Sequence, residues 1–333
     1  MIMPRFKAIT LLLSLATLSA TAFGQNANSA SPGTLNYIEG QASIEGRSLS
    51  SQSVGNTKLE AGQVLATANG KAEILLTPGI FLRLGDDSTV RMVSTDLTHT
   101  EVRLDQGRAD VEVDQIYSQN TILVDLKNGQ TQLLKNGLYA FDAGNSTVRV
   151  FDGKAAVYAG ANLQANVKPI DVKGGHQLVL NGDLVKPQGF NKDQAKADPL
   201  YKWSSLRSNY LGQANLNLAE EYAGYSGFNP GWYWAGGPYG YTWLPGDGLF
   251  WSPFGYGFYS PFYIRGGGFI YGGYGRGFYR GGYRGGAVRA GGEGFHGGAG
   301  GGGFHGGAGG GGFHGGGGGG GFHGGGGGGG GHR

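Results

Sequence analysis

The sequence predicts an all-β body closed by one helix, and three observations carry that prediction. From Gly33 to about Pro187, short apolar or alternating runs are broken roughly every 7–10 residues by Gly, Asn or Asp. No window in this stretch holds a convincing helical period. The chain has no cysteine, so the fold must stand on its own core or solenoid packing, without disulfides or thiolate metal sites.

The N-terminus comes first. Arg5 and Lys7 precede the uncharged, mostly apolar run Ala8–Phe23, and Ala22 and Gly24 place small residues before Gln25. That is the layout of a secretory signal peptide over residues 1–24, followed by a linker over 25–32. A retained membrane anchor is disfavoured because Ser and Thr dilute the second half of the run. In the body, Lys71–Val93 reads as two or three strands broken at Pro78-Gly79 and Gly85-Asp86. Glu101–Asp114 reads as a hairpin-like pair around Gly107. Gly137–Gly160 reads as strands with turns at Gly144-Asn145 and Asp152-Gly153.

These residues carry a resemblance. "GQVLATANGKAEILLTPGIFLRLGDDSTVRM" (62–92), "VRLDQGRADVEV" (102–113) and "VRVFDGKAAVYAG" (148–160) resemble successive elements of the FecR domain, over about Gly33 to Leu180. The chain departs at "LLKNGLYAF" (133–141), which keeps the glycine of that family's element but not its threonine. The resemblance implies a β-solenoid-like domain over 33–187. Better-known members of the family are signalling regulators with a cytoplasmic N-terminus. An export signal in that place argues against the same role here and leaves an exported contact module as the expectation.

After Pro187 the period changes. Over 188–225 a linker leads into an amphipathic helix, with Asp198 as N-cap and Pro199 at its first position. Leu200, Trp203, Leu206, Tyr210, Leu211, Ala214 and Leu218 recur at three- and four-residue steps, and the helix should end near Gly224. Its expected task is to cover an open end of the β-body; a partner- or membrane-surface helix is the alternative. Residues 226–264 hold four of the five tryptophans. Gly and Pro interrupt this segment too often for a helix. It either packs on itself or offers Trp232, Trp234, Trp243, Trp251, Tyr239 and Tyr241 to a partner, sugar or membrane interface.

Residues 265–333 form a low-complexity tail, expected to be disordered, with 41 of the 71 glycines lying from Gly266 onward. Six arginines against Glu293 make the tail cationic, while the body is slightly acidic. With an export signal, adhesive or polyanion contact fits this tail better than nucleic acid. His296, His305, His314, His323 and His332 recur every nine residues. Imidazole favours Zn, Ni or Cu, yet nine mostly glycine residues separate neighbours by roughly 15–18 Å as a random coil, so any binding is weak and without fixed geometry. No resident cofactor is expected.

Nothing in the body names a reaction. His99 and His176 stand apart and read as surface or hydrogen-bonded residues, and "GYSGF" (224–228) lacks the spacing of a nucleophile elbow. Asp86-Asp87 reads as turn chemistry. Asp110, Glu112 and Asp114 alternate along one strand and read as a solvated acidic face. The expectation is a non-enzymatic, exported envelope protein that is periplasmic, outer-envelope or extracellular. Its expected partners are another envelope protein or a polysaccharide, with peripheral membrane contact as a further option. Nothing in the sequence sets an oligomeric state.

Overall fold

Turns at strand ends steer the chain back and forth between two halves of one large sheet. The computed structural model describes residues 30–159, 168–180 and 186–268. The signal segment, the tail beyond Gly268 and the nine-residue histidine repeat lie outside the described residues. Fifteen strands share the sheet: β1 (Leu35–Ile44), β2 (Arg47–Ser48), β3 (Val64–Leu75), β4 (Ile80–Leu84), β5 (Thr89–Thr95), β6 (His99–Gln106), β7 (Arg108–Val113), β8 (Thr121–Leu126), β9 (Gly129–Leu133), β10 (Gly137–Asp142), β11 (Thr147–Asp152), β12 (Lys154–Ala159), β13 (Ile170–Lys173), β14 (His176–Val179) and β15 (Gln188–Gly189).

β3 is the hinge of this arrangement. Its first residues pair with β5 and its last with β4, while β1 runs antiparallel along its other side. One half then continues β5-β6-β8-β9-β12-β13 and the other β4-β7-β10-β11-β14-β15. The chain crosses between halves at Gly85, Gly107, Gly153 and Gly174-Gly175. At Gly107 φ is +76°, and an added Cβ would lie 2.3 Å from Ser88 Oγ and 2.6 Å from Ser88 Cα, so no side chain fits. The expected hairpin around Gly107 is therefore a crossing: β6 pairs with β5 and β8, and β7 with β4 and β10. The expected turn at Gly144-Asn145 does join the hairpin β10–β11.

The all-β class stands, but the sheet is neither a solenoid nor closed. Solenoids stack successive coils in parallel, whereas among the described strands only β6 and β8 pair in parallel. Instead the two halves face each other across one apolar core. Ile80, Leu82 and Leu84 of β4 and Val111 and Val113 of β7 meet Val102 and Leu104 of β6 and Ile122 and Val124 of β8 there. Strict alternation sends Phe81, Arg83, Asp110 and Glu112 to the opposite face.

That second face is covered by a third layer. α1 (Lys192–Lys196) leads into α2 (Pro199–Tyr222), and two short hairpins follow: β16 (Gly231–Trp234) with β17 (Tyr241–Leu244), and β18 (Leu249–Trp251) with β19 (Gly257–Tyr259). A helical turn, α3 (Pro261–Tyr263), precedes the π-type turn Ile264–Gly268. The N-cap is as expected: the Asp198 carboxylate accepts from Leu200 N at 2.8 Å, and Pro199 opens the helix. α2 lies across a face of the body rather than over an end.

Its buried side differs too. Leu200, Trp203, Leu211 and Ala214 are buried as expected, but Leu206 and Tyr210 are 46% and 41% exposed and Leu218 is half-buried. Ser204, Arg207, Ser208 and Asn215 take the inner positions, because the surface they meet is charged. No helix among the described residues is long and apolar enough to cross a membrane, which leaves strands untested.

Candidate interaction site

The contact between sheet and third layer is a buried charged seam. Register places Glu73 opposite Arg83, and Arg83 opposite Asp110, on neighbouring strands. Arg83 is fully buried; its Nε donates to Glu73 Oε2 at 2.7 Å and its Nη1 to Glu112 Oε2. From α2, Arg207 Nη2 donates to Glu73 Oε1 at 2.8 Å and to the Tyr239 carbonyl at 2.9 Å. The other Arg207 nitrogens have no hydrogen-bond acceptor, and the guanidinium lies over the Tyr37 ring at 4.0 Å. Ser204 and Ser208 donate to Asp110 Oδ2 and Glu112 Oε1 at 2.8 and 2.6 Å. Small hydroxyls let the helix sit close and still satisfy buried carboxylates.

The row Asp110, Glu112 and Asp114 is thus buried, which overturns its reading as a solvated face. The alternation was read correctly, but the layer that covers it comes about ninety residues later in the chain. Burial would raise the Glu73 carboxyl; the charges and hydrogen bonds of Arg207 and Arg83 outweigh it and hold the group at about 2. Asp110 behaves oppositely: burial pushes it up to about 7, against the Ser204 hydrogen bond and the charges of Arg83 and Arg108, and the nearby Asp198 adds to the rise. Burial, then the negative charge of Glu112, pushes Asp114 well above the usual carboxylate range.

Asparagines tie the hairpins to this frame by imitating strand backbone. Asn36 on β1 donates to the Tyr241 carbonyl at 2.9 Å and accepts from Tyr241 N at 2.6 Å, and also donates to Glu73. Asn215 on α2 donates to the Trp243 and Tyr259 carbonyls and accepts from Tyr259 N. Leu75, Phe81, Leu211, Tyr241, Trp243 and Phe258 close a second apolar core between sheet and hairpins.

The aromatic segment therefore packs on the body, and the six aromatics considered as a surface divide. Trp243 is 0% and Tyr241 6% exposed, so neither is available to a partner. Both lie on the inward strand of the first hairpin, which Asn36 and Asn215 hold against the sheet. Trp232 and Tyr239 are half-buried. Trp234 and Trp251 remain outward, at 44% and 62% exposure, and Tyr225 and Phe262 join them as exposed aromatics.

A polar cleft opens where α1 and the start of α2 overhang β10 and β11. Its inner cavity is about 180 Å³, lined among others by Arg108, Asp110, Asn145, Thr147, Arg149 and Tyr201, and a shallower cavity of about 440 Å³ adjoins it. Asp198 holds Arg108 in an ion pair at the rim. His99 and His176 are exposed and separately hydrogen-bonded, to Glu101 at 3.1 Å and the Gly174 carbonyl at 3.3 Å. Asp86 sits at its turn and pairs with Lys71 at 3.2 Å. Among the described residues no group of three or more His, Asp or Glu is placed to hold a metal ion.

With the body in view, the comparison falls on the strands from β3 to β12: residues 62–156 match the family model described as FecR protein. That stretch of the chain is similar to a FecR domain. The seam and the cleft both lie on the outer face of the matched strands, and α2 and the hairpins lie C-terminal to the match. Two crystal structures of a candidate anti-sigma factor from Parabacteroides distasonis ATCC 8503 are similar to part of the chain. They share 15% and 16% identity with TM-scores of 0.34 and 0.33, and the similarity covers 40% of this chain. The chain spans about three fifths of those proteins, 62% and 61%. No curated protein matches the chain.

Proposed function

We propose that this chain is a non-enzymatic, exported cell-envelope protein whose FecR domain and docked aromatic layer make contacts with another envelope protein or a polysaccharide. The observation that carries the reading is the third layer itself. The outer face of β3, β4 and β7, within the FecR-matched stretch, is covered by the chain's own C-terminal helix and hairpins, which leave Trp234 and Trp251 facing outward. Exposed tryptophans on a framework pinned by buried ion pairs and asparagine clamps suit contact rather than turnover. The export signal read over residues 1–24 supports placement beyond the cytoplasm.

Cell fractionation is the test. A processed chain in the envelope or culture fluid, capturing a partner that Trp234→Ala/Trp251→Ala no longer holds, is the expected result. An unprocessed chain recovered from the cytosol would sink the reading.

The FecR domain itself favours a second reading, a signalling regulator of that family, which predicts that a topology reporter fused at residue 1 stays in the cytoplasm. For the tail, the reading is weak Zn, Ni or Cu contact through His296, His305, His314, His323 and His332. Equal nickel binding with and without residues 291–333 would remove it.

A further inference from the structure

Four arginines lie on the covered side of the second half-sheet or against it, and three of them are neutralised. Arg83 and Arg207 are buried on glutamates, and Asp198 holds Arg108. Arg149 on β11 differs: its Nε donates to Gln177 Oε1 at 3.0 Å, its guanidinium lies over the Phe190 ring at 5.1 Å, and no carboxylate among the described residues pairs with it. The cation is thereby fixed in orientation with its terminal nitrogens uncommitted. It forms a wall shared by the inner cavity of about 180 Å³ and the adjoining one of about 440 Å³. The three acids of the cleft are engaged elsewhere: Asp110 accepts from Ser204, Asp142 accepts from Gly144 N and Asn145 N, and Asp198 caps α2 and holds Arg108.

We infer that this cleft is a binding site for an acidic saccharide, with the carboxylate of a uronic acid unit on Arg149. A guanidinium fork with a free edge matches a carboxylate bidentately. The uncharged polar groups around it are planar amides and a hydroxyl, among them Asn145, Gln177, Asn191 and Thr147, which pair with ring hydroxyls; Tyr201 offers an aromatic face. The inner cavity is smaller than the ~300–1,000 Å³ usual for larger ligands, so it takes one sugar-sized group, and the shallower cavity leaves room for the next unit.

An extended peptide fits less well. The cleft lies on the face of β10 and β11, whose edges are already paired on both sides, so no strand edge is free for β-addition. This inference rests on the contact role proposed above and names polysaccharide as the partner, at a site separate from the outward tryptophans.

The test is calorimetry on the purified full chain with hexagalacturonate, maltohexaose and hexaglutamate, each of six units. The arginine-rich tail attracts any polyanion, so titrations are run at about 0.15 M salt, where surface attraction is damped. The reading is then taken from variants that leave the tail intact. Hexagalacturonate binds the native chain, maltohexaose and hexaglutamate bind at least tenfold more weakly, and Arg149→Gln loses about tenfold or more in affinity, as expected for a charge-assisted contact.

Because Arg149 also bridges β11 and β14, Ala195→Glu serves as the second variant. It places a carboxylate in the cleft from α1, with the same loss expected at unchanged melting temperature. Equal binding of maltohexaose or hexaglutamate, no hexagalacturonate binding, or full binding by Ala195→Glu overturns the inference. Any of these leaves the fractionation result of the contact role untouched, and a cytosolic chain that still binds hexagalacturonate overturns that role alone.

Discussion

Replacing Arg83 by methionine removes the central cation of the seam while keeping its length and apolar stem. Glu73 keeps Arg207 and Asn36 as partners, whereas Glu112 keeps only the hydroxyl of Ser208. A fully buried carboxylate without its cation costs about 3–5 kcal/mol. For a body of this size that lowers the melting temperature by about 6–20 °C. Neutralising the orphan should recover much of the loss. In Arg83→Met/Glu112→Gln the new side-chain amide still accepts from Ser208, without a buried charge.

The assay is urea unfolding followed by tryptophan emission for the native chain, each single variant and the double variant. The expected coupling between positions 83 and 112 is at least about 1.5 kcal/mol. A destabilisation below about 1 kcal/mol in Arg83→Met, with additive effects in the cycle, would refute the argument that the seam is held by paired charge.

Other consequences follow from the same geometry. Asp110 has a folded-state pKa raised to about 7, so the native state holds a proton that the unfolded chain gives up near the usual carboxylate value. Its stabilisation is complete below pH ~4 and is lost as pH rises through about 7, a change on the order of 4 kcal/mol. Asp110→Asn keeps the acceptor for Ser204 and should flatten the fall in stability between pH 5 and 8 measured by urea melts; an unchanged slope would assign the pH dependence elsewhere.

Asn36→Ala cuts three hydrogen bonds, two of them to Tyr241 backbone, and should cost about 2–3 kcal/mol with a red shift of tryptophan emission. At Gly55, φ is +75° and a Cβ would lie 2.6 Å from the Trp234 ring, so Gly55→Ala should cost about 1–3 kcal/mol and raise the quenching of Trp234 by iodide. Unchanged quenching would show that the ring does not rest there.

What the sequence disclosed divides along a physical line. Strand alternation and turn glycines depend on neighbours, so the strands of Lys71–Val93 with their breaks at Gly79 and Gly85 could be read, as could Asp198 and Pro199 as a helix start. The partners of the opposite face are remote: Asp110 meets Ser204 and Glu112 meets Ser208, about ninety residues later. Alternating acids look the same on paper whether water or a helix faces them. One signal was present, since Arg83 interrupts the apolar run Ile80–Leu84, where an unpaired charge would be costly.

The helix face misled for the mirror reason. Leu206 and Tyr210 weigh more in an apolar count than Ser204, Ser208 and Asn215, although the small polar residues are the ones that fit against carboxylates and strand backbone. Arg149, between two core valines of β11, gave no sign of its cleft. The cleft depends on α1 and the start of α2 folding back over that strand.

The claim that the aromatic segment is a folded third layer, inseparable from the large sheet, can be tested by one unfolding experiment with two probes. All five tryptophans lie on α2 and the hairpins, so their emission reports that layer, while amide hydrogen exchange on peptides from β6, β8, β9 and β12 reports the fifteen-stranded sheet. Coincident urea transitions by the two probes are the predicted result, because the buried seam makes one cooperative unit. A tryptophan transition complete at lower urea, with the strand protection intact, would contradict it.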